Sequence, residues 1–211
     1  MNTQALYLVR MDVGHDHDAL FNEVYDKEHL PNLRGVPGVR SAHRYRQPSQ
    51  SEPRYMAAYE LDSAAVLSTP AWKAAGEAGR WAGEVRPVSM NRHLAMYERV
   101  GGGAALTNKT PCVFWVMMDV EPHKEALFNE LYDGEHLPLL SKLPGYVNAV
   151  RYRTQTPGEP RYLCAYELER ADLAQSKEWN ATSDIGRWKP EVRPYTYNKR
   201  YIVSERLAPR Q

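Results

Sequence analysis

The chain has 211 residues, a formal net charge of +1, 43% hydrophobic residues and 25% charged residues, which is the composition of an ordinary globular protein with a core. A charge this small gives no general field that would attract nucleic acid or an anionic membrane. The two cysteines, Cys112 and Cys164, form neither a CxxC motif nor a disulfide framework. We therefore expect a soluble, cytoplasmic protein without a signal peptide or membrane span, which binds a small molecule and no nucleic acid.

The sequence contains one internal repeat with an offset of 107 residues. FNEVYDKEHLP, which begins at Phe21, recurs as FNELYDGEHLP from Phe128. Without a gap, 42 of the 90 residue pairs that begin at Met11 and end at Val100 are identical at this offset. A period of this size is that of a whole domain and indicates a duplication. We predict two domains, residues 1–100 and 112–211, joined by a glycine-rich linker over residues 101–111.

Both copies predict the same elements in the same order. In the first copy, alternating apolar residues predict a strand over residues 7–13, and helical spacing predicts a helix over residues 16–26, which Pro31 should interrupt. The later elements are two strands, a helix and a strand, predicted over residues 39–47, 54–61, 64–78 and 93–99. This βαββαβ order is ferredoxin-like, and the fold class is α+β. A sheet covered by helices on one face would bury its other face against the second copy.

Three recurring motifs resemble those of a known superfamily. They are Tyr-Asp-x-Glu-His-Leu-Pro, Pro-Gly and Glu-Pro-Arg-Tyr, which begin at Tyr25, Pro37 and Glu52 in the first copy. The combination resembles the dimeric α+β barrel superfamily and, within it, most resembles the EthD-like proteins. The resemblance implies that the two ferredoxin-like repeats form one intrachain dimeric α+β barrel.

The same resemblance implies function only broadly. The superfamily includes quinol-forming monooxygenases, muconolactone isomerases, polyketide cyclases, aldoxime dehydratases and haem-binding members, and several of its enzymes work without a cofactor. Their pocket lies between the sheet and the helices of each half, often with a histidine as acid or base. EthD-like proteins are associated with the catabolism of foreign compounds, often with no assigned chemistry, and for this chain we expect a role in aromatic degradation.

The candidate catalytic residues are the acidic and histidine residues of the first motif in its two copies: Asp26, Glu28, His29, Asp133, Glu135 and His136. On a continuous helix, Glu28 would face the same side as Val24, where a carboxylate is costly unless it is paired or functional. His29 lies one turn from Tyr25, and imidazole suits acid–base work near neutral pH. The alternative is that the cluster stabilises the interrupted helix. Adjacent helical positions diverge, so no metal site is predicted.

The candidate substrate-binding residues are recurring aromatic and basic side chains, with one histidine that has no counterpart: Tyr25, Tyr132, Arg44, Arg151, Tyr59, Tyr166, Trp72, Trp179 and His43. Tyrosine and tryptophan suit a pocket for a flat, mostly apolar ligand. A guanidinium suits a carboxylate or an enolate, but buried arginines also form structural ion pairs, and both roles stay open for Arg44 and Arg151. Which half carries the active pocket also stays open.

Three functions are compatible with these residues. The first is a cofactor-independent lyase, isomerase or cyclase of a small aromatic or ring-derived acid, with histidine as general acid and base. The second is a non-catalytic ligand-binding or accessory protein of the EthD-like kind. The third is a cofactor-free oxygenase that uses a bound, oxidisable phenol. We expect no metal or cofactor, and association of two barrels into a homodimer stays open.

Overall fold

The computed structural model describes residues 4–48 and 53–207, so that Glu52, which begins one of the repeated motifs, lies outside the described residues. The chain divides into two units, one of residues 1–98 with 206–211 and one of residues 99–205. The segment interpreted as a linker, residues 101–111, therefore belongs to the second unit.

The first unit follows the predicted βαββαβ order. Its strands and α-helices are β1 (Ala5–Val13), α1 (Asp18–Val24), α2 (Leu30–Arg34), β2 (Val39–Arg46), β3 (Tyr55–Leu61), α3 (Pro70–Glu77) and β4 (Ser89–Gly102). The strands are antiparallel and lie in the order β2-β3-β1-β4. β4 is longer than predicted at both ends, and its last residues, 99–102, are counted in the second unit.

The second unit repeats this arrangement. Its elements are β5 (Cys112–Val120), α4 (Glu125–Leu131), α5 (Leu137–Leu140), β6 (Tyr146–Thr154), β7 (Tyr162–Leu168), α6 (Lys177–Ser183), α7 (Trp188–Glu191) and β8 (Thr196–Arg206). The strand order is β6-β7-β5-β8. The segment before β5 is anchored, because the carboxylate of Glu167 accepts the backbone N–H groups of Thr107 at 2.7 Å and Asn108 at 2.6 Å.

The sequence had predicted that a proline interrupts the first helix of each repeat. The structure shows instead that the helical path continues through this proline. Between α1 and α2 the chain makes a π-helical turn over Tyr25–His29, and α2 continues through Pro31. Between α4 and α5 the turn is Tyr132–His136. Such a turn carries one residue more than an α-helical turn and fits the proline, which has no N–H to donate. The side chains of the motif therefore point in directions that a regular helix would not give them.

One face of each sheet packs against the helices. In the first unit, Val9, Met11 and Val13 of β1 alternate into a core that includes Phe21 and Val24 of α1. The second unit has an equivalent core. This confirms the predicted α+β class with two ferredoxin-like repeats. None of the helices in the described ranges is long and apolar enough to cross a membrane.

Candidate functional site

Each unit contains a cavity on the helix-covered face of its sheet, with a volume of about 470 Å³ in the first unit and about 440 Å³ in the second. These volumes are in the range of small-molecule sites. Each cavity is lined by one histidine, two tyrosines and two tryptophans at equivalent positions, namely His29, Tyr25, Tyr59, Trp72 and Trp81 in the first and His136, Tyr132, Tyr166, Trp179 and Trp188 in the second. Within each unit, the structure thus brings the histidine and the aromatic candidates of that repeat together in one cavity.

Local structure positions the tryptophans in the same way in both repeats. Thr69 precedes α3, and its Oγ1 accepts the backbone N–H of Trp72 at 3.2 Å. Ser176 does the same for Trp179 before α6, at 3.0 Å. A hydroxyl at this position satisfies one of the free N–H groups of the first helical turn. The cap therefore fixes where each helix begins and places its tryptophan in the cavity wall.

Each cavity histidine stacks on a tryptophan. The rings of His29 and Trp81 lie 4.0 Å apart with an interplanar angle of 16°, and those of His136 and Trp188 lie 4.6 Å apart at 22°. The histidines are only 6% and 7% exposed, and neither Nδ1 has a hydrogen-bond partner among the described residues. A buried polar atom without a partner is rare in native proteins. Because each Nδ1 is itself shielded, a ligand would reach the histidine through the part of the ring that lines the cavity.

Both histidines are neutral at pH 7. Burial lowers the pKa of His29 to about 3, and the positive charges of Arg86, Arg44 and Arg92 contribute in the same direction. Burial and two arginines likewise lower the pKa of His136 to about 3. A buried imidazole resists protonation because the low-dielectric surroundings disfavour its charged form. Each ring is therefore in the unprotonated form that a general base requires, although its surroundings make it a weak base.

We expect these histidines to reduce stability in acid. An unfolded chain protonates histidine near pH 6.5, whereas the folded chain protonates these two only near pH 3. The unfolded state holds more protons between these values, so the free energy of unfolding falls as the pH drops below about 6.5. The slope should approach about 1.4 kcal/mol per pH unit for each histidine. Urea unfolding at pH 7, 6 and 5 measures it, and an unchanged profile after replacement of both by glutamine would contradict the assignment.

The two cavity tyrosines of each repeat are hydrogen-bonded to each other. The hydroxyl oxygens of Tyr25 and Tyr59 lie 2.9 Å apart, and those of Tyr132 and Tyr166 lie 2.8 Å apart. Burial raises the pKa of Tyr25 to about 12 and that of Tyr59 well above its usual value. These phenols stay protonated at neutral pH, and the pair in the first repeat has one O–H left to donate to a ligand. In the second repeat the Cys164 thiol is also hydrogen-bonded to the pair.

The two glutamates predicted to be catalytic, Glu28 and Glu135, lie outside both cavities. The carboxylate of Glu28 accepts the backbone N–H of Arg80 at 2.9 Å and its Nε–H at 2.7 Å. Glu135 accepts the backbone N–H of Trp188 at 3.1 Å. Neither glutamate lines a cavity. The π-helical turn directs Glu28 away from the core side that a regular helix predicts, and both glutamates hold the segment that carries the stacked tryptophan.

The aspartates and the predicted substrate-binding arginines form ion pairs. Nη1 of Arg44 lies 2.5 Å from Asp26, and Nη1 of Arg151 lies 2.6 Å from Asp133. The guanidinium of Arg44 also lies over the ring of Tyr25, 4.4 Å from its centre. None of the four charged residues lines either cavity. The aspartates predicted to be catalytic therefore lie in ion pairs, and of the two roles left open for Arg44 and Arg151 the structure shows the structural one, in which they fasten β2 and β6 to the helical turns.

Two further corrections concern single residues. His43 belongs to β2 but lines neither cavity, because its side chain alternates to the face opposite Ala42, which packs in the helix-covered core. Basic residues at the cavities were not among the predicted site residues. Two positions carry a cation in both cavities, Arg86 and Arg92 in the first and Arg193 and Lys199 in the second, whereas Lys73 of the first cavity corresponds to Asn180 of the second. Within residues 4–48 and 53–207, no three His, Cys, Asp or Glu side chains are grouped so as to hold a metal ion.

These features define a duplicated α+β protein with one histidine-containing aromatic cavity in each repeat. No model of a known protein family matches the chain, and no curated protein matches it in sequence. Solved structures do match it over almost its whole length. A proposed monooxygenase from Fusobacterium nucleatum subsp. nucleatum is 12% identical with a TM-score of 0.67, and the match covers 98% of this chain and 94% of that one.

Two other solved structures are similar to the same extent. An anthrone oxidase-like protein is 13% identical with a TM-score of 0.65, and the match covers 100% of this chain and 93% of that one. A mutant chlorite dismutase from Candidatus Nitrospira defluvii is 9% identical with a TM-score of 0.65, covering 99% and 92%. This similarity shows the dimeric α+β barrel fold. It does not extend to the narrower resemblance to EthD-like proteins.

Proposed function

We propose that the chain is a cofactor-free oxygenase that binds an oxidisable phenol, or a related fused-ring aromatic compound, in each cavity. The observation that carries this proposal is the neutral, buried imidazole with an unpaired Nδ1 in an aromatic cavity, which recurs as His29 and His136. Similarity of fold to proteins described as monooxygenases and as anthrone oxidase-like supports oxygen chemistry. It favours an oxygenase over the lyase, isomerase or cyclase that the sequence placed first.

The cavity walls suit a flat aromatic ligand. In the first cavity, the Tyr59 and Trp72 rings meet edge to face at 5.5 Å, and Tyr7 meets Trp72 in the same way at 5.9 Å. Val9 and Met11 of β1 line the same cavity. Aromatic rings favour such edge contacts and offset stacking with a further ring. A fused-ring substrate would therefore contact apolar side chains on several of its sides and a small number of polar groups.

The first chemical step assigned to the chain is proton removal. Neutral His29 accepts a proton from the substrate hydroxyl or from an acidic ring C–H, which leaves an electron-rich anion. The hydroxyl pair of Tyr25 and Tyr59 donates a hydrogen bond to the developing oxyanion. The positive charges of Arg86 and Arg92 lower the pKa of His29 in the free protein. An anion between these charges offsets that effect, so the imidazole becomes a stronger base as its substrate ionises.

The oxygenation itself balances without an external reductant. The deprotonated substrate transfers electrons to O₂, one oxygen atom bonds to the reacting ring carbon, and the imidazolium protonates the peroxide that forms. Loss of water then leaves a carbonyl, so that a ring CH₂ and O₂ give C=O and H₂O. All electrons that reduce the oxygen come from the substrate carbon. The protein contributes binding, proton transfer and stabilisation of the oxyanion.

Oxygen uptake with anthrone as the probe tests this function. We expect the protein to accelerate O₂ uptake above the protein-free rate, with one O₂ consumed for each carbonyl product and no product under nitrogen. Exchange of the acidic ring hydrogens with solvent deuterium, without O₂ uptake, would contradict the oxygenase and favour proton-shift chemistry of a lyase or isomerase. Binding of anthrone with neither reaction would favour a non-catalytic ligand-binding protein.

A further inference from the structure

The last strand of each repeat contains a β-bulge beside the cavity. Asn91 and Arg92 of β4 both lie opposite the single residue Met11 of β1. Asn198 and Lys199 hold the same positions in β8. A bulge lets two residues of one strand oppose one residue of its partner and redirects the side chains at that point. In both repeats, the second residue of the bulge is a cation that lines the cavity.

The bulge is fixed by the same contacts in both repeats. Asn91 and Asn198 have φ of 48°, in the left-handed region that asparagine tolerates better than most residues. Nδ2 of Asn91 donates to Oδ2 of Asp12 at 2.9 Å, and Nδ2 of Asn198 donates to Oδ2 of Asp119 at 2.8 Å. The asparagine of each bulge is therefore anchored to β1 or β5, which fixes the backbone position of the cation that follows it.

The bulge cations differ from the other cations that recur in both cavities. Arg86 and Arg193 are each held in an ion pair with a carboxylate. Neither Arg92 nor Lys199 forms an ion pair or a hydrogen bond with any residue in the described ranges. Burial lowers the pKa of Lys199, and the charge of Arg193 contributes to the lowering. Each cavity thus has a bulge cation that no described residue pairs with, and the first cavity has Lys73 in addition.

We propose that Arg92 and Lys199 form an anion subsite in each cavity, and that the ligands are aromatic acids whose carboxylate lies at the bulge. The rest of the ligand, a fused aromatic ring, would lie along the apolar wall towards His29 or His136. Burying a carboxylate is costly unless a cation pairs with it, and an unpaired cation at the edge of an apolar cavity supplies that pair. This proposal depends on the proposed function in one respect only, namely that each cavity is the site where the substrate binds.

Calorimetric titration at pH 7 with 2-naphthoate and with neutral 2-naphthol tests the subsite without any turnover. We expect the unmodified chain to bind 2-naphthoate at least about tenfold more tightly, which corresponds to about 1.4 kcal/mol. The double variant Arg92→Met, Lys199→Met should lose that preference and still bind 2-naphthol. The exchanges Arg92→Lys and Lys199→Arg should keep the preference, because each repeat already uses the other's cation. Lys142→Met, which removes an exposed lysine outside the cavities, is the matched control.

The outcomes separate this inference from the proposed function. Equal affinity for the two probes, or an undiminished preference in the double methionine variant, would overturn the anion subsite. Oxygen uptake with neutral anthrone, combined with equal affinity for the two naphthalene probes, would leave the oxygenase in place and overturn only the aromatic acid. A clear preference for naphthoate in a chain that consumes no O₂ would support the subsite and overturn the oxygenase.

Discussion

Replacing both His29 and His136 with glutamine should lower turnover by about 10²- to 10⁴-fold, which is the usual contribution of a positioned general base. Glutamine is polar and uncharged, as these histidines are at neutral pH, but it cannot accept the substrate proton. The folded state should survive the change, because neither Nδ1 has a hydrogen-bond partner among the described residues. Steady-state O₂ uptake and thermal unfolding of the double variant, measured together, separate loss of chemistry from loss of folding.

Single variants assign the activity to the repeats. His29→Gln or His136→Gln alone should each remove about half of the turnover if the two cavities act independently and equally. His17→Gln, at an exposed position outside both cavities, is the control and should leave turnover unchanged. Full turnover in a folded double variant would contradict a histidine base and would direct attention to the tyrosine pairs.

Asp26→Ala should reduce the free energy of unfolding by about 3–5 kcal/mol, the cost typical of breaking a buried ion pair from one side. The side chains of Arg44 and Asp26 are only 2% and 5% exposed. Removing the carboxylate leaves a buried guanidinium whose remaining hydrogen bond is to Oδ1 of Asn22, at 2.8 Å. Urea unfolding at pH 7 measures the loss.

The second repeat supplies the matched comparison. Asp133 pairs with Arg151 in the same way, but its side chain is 40% exposed. Asp133→Ala should therefore cost less, about 1 kcal/mol, because solvent already screens this pair. Losses of equal size in the two repeats, or a loss below about 1 kcal/mol for Asp26→Ala, would contradict the assignment of Asp26 to a buried structural pair.

The repeat and the order of elements could be predicted because both depend on local sequence patterns. Period-two alternation marks β1, and the constant offset shows that the same fold occurs twice. The π-helical turn at Tyr25–His29 could not be predicted, because the sequence indicated only an interruption at Pro31, and the direction of Glu28 was taken from a continuous helix. That assumption placed Glu28 on the core side of the helix, whereas the structure places it against the backbone of Arg80.

The candidate site was predicted only in part, for a related reason. His29, Tyr59 and Trp72 recur at the repeat offset, and the structure places all three in one cavity. The position of Arg92 at the cavity depends on how β4 pairs with β1. Local sequence patterns do not predict this pairing. A signal was nevertheless present, because Asn-Arg at residues 91–92 recurs as Asn-Lys at residues 198–199. Arginine and lysine differ in shape but share a positive charge, so their occurrence beside an identical asparagine indicates that the charge matters at this position.

A reaction under isotopically labelled O₂ is the most direct test of oxygenation by the two cavity histidines. With anthrone as the probe, the product carbonyl should carry one labelled oxygen atom and the second should appear in water. The folded His29→Gln, His136→Gln variant should form labelled product about 10²- to 10⁴-fold more slowly. A product carbonyl that takes its oxygen from water, or labelled product formed equally fast by the double variant, would contradict a histidine-dependent oxygenase.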